Sequence, residues 1–320
     1  MNLTKLTERI LKGYRITPTE ARLLLKANLS ELMFCAEIIA RHFKSDKIGF
    51  CSIVNAKSGA CSENCRFCAQ SAYNKTKVNT YPMLNVRQLD TALSRAVKDG
   101  ASCFGIVTSG RTLTDEDINR ICSFAAKHRK KSIRISASLG EMSKANLLKL
   151  RKAGIGRYHH NLETAESFFG SICTTHTFRD KVRTVKNAKS AGLEVCCGGI
   201  IGLGETPAQR LELALALRKL DVDSVPINIL NPVPGTPLGK RRLTPPSDIL
   251  RTIAVFRFIL PKKDISVCGG REINLGAYQS WIFSAGASGM MVGGYLTTPG
   301  RAVSQDKKMV KELGLRIRRK

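Results

Sequence analysis

Eight short runs rich in β-branched and apolar residues recur along the chain, separated by longer stretches of helical periodicity. The runs are KIGFCSIVN (47–55), SCFGIVTSG (102–110), SIRISASLG (132–140), RYHHNLE (157–163), EVCCGGIIG (194–202), SVPINIL (224–230), ISVCGG (265–270) and GMMVGGY (289–295). VRQLDTALSRAVKDG and EMSKANLLKLRKAG typify the helical patterns between them. Strands alternating with helices imply parallel βα units, and eight such units close a (β/α)8 barrel of the TIM type. Residues 1–47 are helical by pattern, with Thr17 and Ser30 as expected N-caps, and read as an N-terminal extension ahead of a barrel domain over 48–320. The absence of repeats and low-complexity linkers argues against a further independent domain.

In such a barrel the chemistry sits at the C-terminal ends of the strands. The stretch after the first strand is GACSENCRFCAQS (59–71), which places Cys61, Cys65 and Cys68 at spacing C-x3-C-x2-C. Three thiolates can hold three irons of a 4Fe-4S cluster and leave the fourth iron open to a ligand. A catalytic zinc site also uses three protein ligands, but no His, Asp or second Cys pair stands nearby at the usual spacing. Core packing is the remaining reading, and a loop of Ser, Glu, Asn and Arg offers those thiols little core to join.

The chain carries 11 cysteines, an odd number that argues against a disulfide framework and for a reducing compartment. Apolar runs such as SGMMVGGYL are too short and glycine-rich to span a bilayer, and the N-terminus MNLTKLTERILKGY is polar. A soluble, cytoplasmic protein without membrane association is expected. The formal net charge of +27 is strongly basic, yet KHRKK (127–131), KRR (240–242), PKKD (261–264) and the terminal RIRRK lack interleaved aromatics. That pattern predicts a solvated basic surface and no nucleic-acid partner.

The C-x3-C-x2-C loop, with the aromatic Phe67 just before its last cysteine, resembles the radical S-adenosylmethionine superfamily. That resemblance implies a 4Fe-4S cluster on Cys61, Cys65 and Cys68. Its open iron chelates S-adenosyl-L-methionine, and reductive cleavage of the sulfonium gives a 5′-deoxyadenosyl radical. A second segment, Gly198-x-Ile200-x-Gly202-x-x-Glu205, resembles the superfamily's G-x-I-x-G-x-x-E strand, whose apolar residue lies against the adenine. Glycine there would let backbone approach a flat ring.

A narrower resemblance runs from about residue 40 to the C-terminus and is to the biotin synthase family. KSGACSENCRFCAQS (57–71), YHHNLET (158–164), VCCGGIIGLGET (195–206), SVPIN (224–228), GTPL (235–238) and LTTPG (296–300) carry it. The implied reaction inserts sulfur between C6 and C9 of dethiobiotin. Those unactivated carbons have no acidic proton, so a radical is needed. His159, Asn161 and Glu163 match a Y-N-x-N-x-D segment that lines substrate and the ribose of the cofactor, with His for Asn and Glu for Asp as departures. Asn228 matches an asparagine that contacts substrate, and Thr297 and Thr298 match threonines near its tail carboxylate. The bland reading of these polar residues is capping and barrel-layer packing.

The family also implies an auxiliary iron–sulfur cluster, 2Fe-2S or a variant, held by three cysteines and an arginine on different strands. Here Cys103 and Cys196 match two positions, but Ser136 and Ser266 occupy the other two. Cys268 lies two residues past Ser266, so strand alternation puts it on the same face and offers a third thiolate, while Cys197 is turned outward. The alternative is that these thiols only fill the core. Cys35, Cys51, Cys122 and Cys173 are expected to be packing residues. The resemblance further implies a homodimer and a flavodoxin- or ferredoxin-like electron donor, whose acidity would suit the basic surface. Two rivals within the superfamily are a paralogue acting on another small molecule and a tRNA-modifying enzyme. A third, from outside it, is an iron–sulfur electron carrier.

Overall fold

A computed structural model describes residues 1–318; Arg319 and Lys320 of the terminal basic run lie outside the described residues. All eight expected runs form strand. They are β1 (Lys47–Lys57), β2 (Cys103–Thr108), β3 (Arg134–Ser138), β4 (Arg157–His159), a broken stave of β5 (Glu194–Cys196) and β6 (Gly199–Ile201), then β7 (Ser224–Ile229), β8 (Asp264–Val267) and β9 (Gly289–Met291). Every pairing is parallel, the order is β1-β2-β3-β4-β5-β7-β8-β9, β6 pairs with β7, and β9 returns to β1. The sheet is therefore a closed eight-stave barrel, with helices between successive staves.

The sequence pattern predicts one strand over 194–202, whereas the structure interrupts it at Cys197 and Gly198. A Cβ on Gly198 would lie 1.9 Å from the Pro226 carbonyl oxygen, and one on Gly199 2.4 Å from the Glu163 carbonyl oxygen. These glycines let neighbouring staves approach each other, so close backbone contact at Gly198 is with the barrel itself. A tenth strand, β10 (Arg316–Ile317), pairs with the start of β1 at Lys47 and Ile48 and is not foreshadowed by the pattern of the eight runs.

Caps explain the helix starts. Thr17 with Glu20, Asn85 with Gln88 and Thr206 with Gln209 form reciprocal capping boxes, and Pro18 and Pro207 open two of those helices. Ser30 is not the cap of its helix: Asn28 is, because its side chain accepts from the Glu31 N–H, and Ser30 falls inside the first turn. The helices Leu3–Leu11, Pro18–Leu24 and Leu29–Lys44 bury Leu6, Ile10, Leu24, Leu32 and Ile39 in the same core as the barrel. Their main neighbour is the helix Pro246–Ile259, with the helices Trp281–Ser284 and Pro207–Lys219 also against them.

Alternation along the staves divides two environments. Phe104 and Ile106 of β2 point outward and are fully buried under helices, while Cys103 points into the barrel. The apolar core thus lies between sheet and helices, and the interior keeps polar and sulfur-bearing side chains. The basic runs at 127–131, 240–242 and 261–263 sit at helix ends and in loops of separate elements. No helix among the described residues is long and apolar enough to cross a membrane.

Candidate cluster and cofactor site

The loop after β1 is built to present three thiols. Cys61 is held by its N–H to the Gln70 carbonyl, and its own carbonyl accepts from Ala72. The Cys68 N–H donates to the Cys65 carbonyl, and Asn74 Nδ2 donates to the carbonyls of Cys65 and Cys68 at 3.2 and 2.8 Å. Gly59 enters the loop at φ +73, where an added Cβ would stand 2.2 Å from Thr80 Oγ1. The backbone of the loop is thus satisfied locally. Phe67 packs its ring on the core. Burial, with Cys61 and Glu163 nearby, pushes the Cys68 thiol up to about 11.

A fourth thiol meets this loop. Cys173 Sγ lies 3.7 Å from Cys65 Sγ and 3.3 Å from His176 Nδ1, and His176 is hydrogen-bonded to Glu63. The contact with Cys173 raises the Cys65 thiol and lowers Cys173, since the pair shares one proton and His176 supports the anion. Cys173 was expected to be a packing residue; it is buried in the apolar core and in addition meets the cluster loop. Sulfurs on two corners of a cube point away from each other and stand further apart, so Cys173 does not hold a corner beside Cys65; the ligand atoms of Cys65, Cys173 and His176 lie within 4.8 Å of one another, close enough to meet a single metal ion.

The other residues of the C-terminal face lie on facing staves. Asn161 accepts from the Gly198 N–H at 3.2 Å, and Asn228 ties β6 to the end of β8 by accepting from Gly269 at 3.0 Å and donating to the Gly199 carbonyl at 3.3 Å. Glu163 adopts φ +69, its carbonyl accepts from Ile200, and burial raises its carboxyl above the usual range. An L residue held at positive φ is costly, and here the bridge between Glu163 and Gly199 enforces it. Ile200 is half-buried on β6. Gly202 turns the chain at φ +89, and Glu205 clamps that turn by accepting from Gly202 and Gly204 while pairing with Arg210 at 2.6 Å. Thr297 is exposed and Thr298 half-buried, in a loop anchored by Asn55 Nδ2 donating to the Leu296 carbonyl.

Below this face lies a cavity of about 380 Å³, lined among others by Cys51, Cys103, Cys196, Cys268, His159 and Arg157. Cys103, Cys196 and Cys268 are there as alternation predicts, Ser266 lines the same space, and Ser136 Oγ lies 3.3 Å from Cys103 Sγ. Cys197 instead joins the apolar core, as do Cys35 and, in part, Cys122. Cys51 was expected to be a packing residue, but it is the register partner of Cys103 and faces the cavity. Inward alternation from Gly49 along β1 is the signal that could have found it. His159, placed by its motif beside substrate, stands among these thiols. Burial would lower it, but Cys196 and Cys103 raise it to about 10. Its Nε2 is buried without a hydrogen-bond partner.

A family model described as the radical SAM superfamily matches residues 56–230, and one described as the biotin and thiamin synthesis associated domain matches 226–316. Biotin synthase from Geotalea daltonii is 51% identical over 322 residues, covering 99% of this chain and 98% of its own. That of Geotalea uraniireducens is 52% identical over 315 residues, covering 97% and 96%. The chain belongs to the biotin synthase family. Among solved structures, methylornithine synthase superposes with a TM-score of 0.81 at 21% identity, covering 98% of this chain and 97% of that one. A maturase of the [FeFe]-hydrogenase, HydG, gives 0.83 at 17% identity, covering 98% and 74%. Both similarities speak to the fold alone.

Biotin synthases are radical S-adenosylmethionine enzymes with a 4Fe-4S cluster, and an auxiliary iron–sulfur cluster is typical of them. The interior cavity suits an anionic iron–sulfur group. Three buried thiols and the half-buried Cys51 converge there from four staves, Arg157 supplies a cation whose charge is reinforced by Cys196 and Cys103, and His159 carries an unsatisfied buried nitrogen. The loop after β1 suits the other cluster, with three thiols whose backbone is already satisfied.

Proposed function

We propose that this chain converts dethiobiotin to biotin, with Cys61, Cys65 and Cys68 holding the 4Fe-4S cluster and the interior thiols holding the sulfur-donating auxiliary group. The observation that carries the reading is the pair of thiol sets in one barrel, one on the loop after β1 and one inside the staves. When bound, the first cluster and S-adenosylmethionine supply the radical that activates unreactive C–H bonds.

The chain's own residues have separable tasks. Asn161 and Glu163, on the segment after β4, and Ile200 and Gly202, on and just past β6, would orient a ribose and adenine. Asn228, Thr297 and Thr298 face the same end and would position dethiobiotin through its ureido ring and carboxylate. Cys103, Cys196 and Cys268, joined by Cys51, would ligate the auxiliary group, with Arg157 and His159 balancing its charge. Three thiolates with Cys51 as fourth replace the family's three cysteines and arginine, which supports a cluster of altered type. A flavodoxin- or ferredoxin-like donor would supply electrons, and the family resemblance supports a homodimer.

The test is direct. The chain reconstituted anaerobically with iron and sulfide, then given dethiobiotin, S-adenosylmethionine and dithionite, yields biotin by mass and 5′-deoxyadenosine. Two clusters require about six irons per chain with a 2Fe-2S auxiliary group and about eight with a second 4Fe-4S. About four irons, or 5′-deoxyadenosine without biotin, defeats the assignment.

A further inference from the structure

We infer that the interior thiols are reached from the N-terminal end of the barrel, and that this opening is where ferrous iron and hydrosulfide enter to load the auxiliary site. The lining residues define the direction. Arg134, Arg157, Glu194 and Asp264 are the first residues of β3, β4, β5 and β8, and all line the thiol cavity. None of Asn161, Glu163, Asn228 or Thr297, at the opposite end, does so.

Exposure follows the same direction. The Glu194 side chain is 42% exposed, Arg134 34% and Arg318 31%, whereas Arg157 is 12% exposed. The thiols of Cys103, Cys196 and Cys268 are buried behind them. The space of about 380 Å³ is roughly a dozen times a water's share of the liquid, ample for small hydrated ions and too small for a folded donor. Arginines at the rim and beside the thiols attract hydrosulfide, and Glu194 and Asp264 attract the cation. Loading at this stage is ligand exchange: ferrous iron exchanges water for sulfur ligands, each bound thiol and hydrosulfide releases its proton to solvent, and no electron is transferred.

Arg318 stands across the rim, held by Asp264 at 3.2 Å and by the Lys47 carbonyl, so the C-terminal strand narrows the opening. Opposite it, a Cβ on Gly49 would meet Arg318 Nη1 and the Ser288 carbonyl oxygen, each only at 3.8 Å. Both are ordinary van der Waals distances, and Gly49 does not have the positive φ that would strain another residue.

The identity of the cargo rests on the auxiliary-cluster reading; the direction of entry does not. Iodoacetamide labelling of the metal-free full chain, read by peptide mass spectrometry, separates the two. In Gly49→Phe, Cys103 and Cys196 label about tenfold more slowly than in the native chain, an added barrier of about 1.4 kcal/mol, while Cys61 and Cys68 are unaffected. In Arg318→Ala the same interior thiols label faster. With both clusters then rebuilt from ferrous iron and sulfide, Gly49→Phe delays only the iron beyond the first cluster. Unchanged interior labelling in Gly49→Phe overturns the inference, as does slowing by Thr297→Trp at the other end. Should Gly49→Phe not fold, Arg318→Ala decides alone, and an unaltered rate there is equally fatal. A chain that takes up just one cluster removes the cargo and leaves the entry route to the labelling result.

Discussion

Cys51 and Cys103 are register partners on adjacent parallel strands, and both line the cavity inside the barrel. Contact with Cys103 raises Cys51, and contact with Cys51 lowers Cys103. Cys268 and Cys196 lie close enough to add to the effect on Cys51. The four thiols behave as one electrostatic group.

Replacing Cys51 with alanine is therefore expected to remove the auxiliary group and spare the radical-generating one. Iron and sulfide in the reconstituted variant should fall to the content of a single cluster, with 5′-deoxyadenosine formation retained and biotin absent. A Cys51→Ala protein with full iron content would return this residue to simple packing. Cys35→Ala, deep in the apolar core, should leave cluster content unchanged and cost stability only.

Local patterns carry much of the fold and of the site in the amino-acid sequence itself. The alternation of strand and helix periods encodes the barrel, and the spacing of Cys61, Cys65 and Cys68 encodes the cluster loop. Cys268 is legible for the same reason, since side-chain alternation is also local. Cys51 and Cys173 are not, because what makes them part of the site is register across strands and the docking of residues 171–176 against the loop. Ser30 misleads because Ser, Asn and Thr cap equally well, and only the backbone shows that Asn28 comes first. The glycines of β6 read as room for adenine, whereas Gly198 meets the carbonyl of a neighbouring stave, a contact with no signature in sequence.

That contact makes Gly198→Ala a stability variant. The new Cβ would be placed 1.9 Å from the Pro226 carbonyl oxygen, and backbone on both staves must shift to admit it. Overpacking of this kind costs about 1–3 kcal/mol or more. A lowered melting temperature for the metal-free protein is expected, together with poorer binding of S-adenosylmethionine as β6 moves. Unchanged melting would show that the staves are not pressed together at this point.

Arg271 and Asp306 form an ion pair at 3.0 Å in which both side chains are fully buried, joining the segment after β8 to the helix Val303–Glu312. Removing Asp306 takes a charged hydrogen-bond partner from the buried Arg271, which keeps Glu272 at 3.2 Å and Gln279. Asp306→Ala is expected to destabilise the protein by about 1.5–3 kcal/mol, measured by denaturant unfolding of the metal-free chain. Replacing both residues by apolar ones of similar size should recover part of that loss. If the single variant unfolds like the native protein, the C-terminal helix is held by its apolar contacts alone.

Asp264 gives the pH dependence of the barrel's N-terminal end. Burial alone would raise its carboxyl, but Arg318 and Lys44, at 3.2 and 2.9 Å, hold it down to about 2. A depressed carboxylate stabilises the folded state above its ordinary pKa near 3.8, and the contribution is lost as pH falls through that value towards 2. The side chain is 22% exposed, so little of the effect is screened, and the shift corresponds to roughly 2 kcal/mol. The stability gap between the native chain and Asp264→Asn should accordingly be constant from neutral pH down to about pH 5 and close as the solution approaches pH 2. Chemical unfolding of both proteins across that range measures it. A gap that widens with acid would mean that Asp264 is not the carboxylate holding Arg318 across the opening.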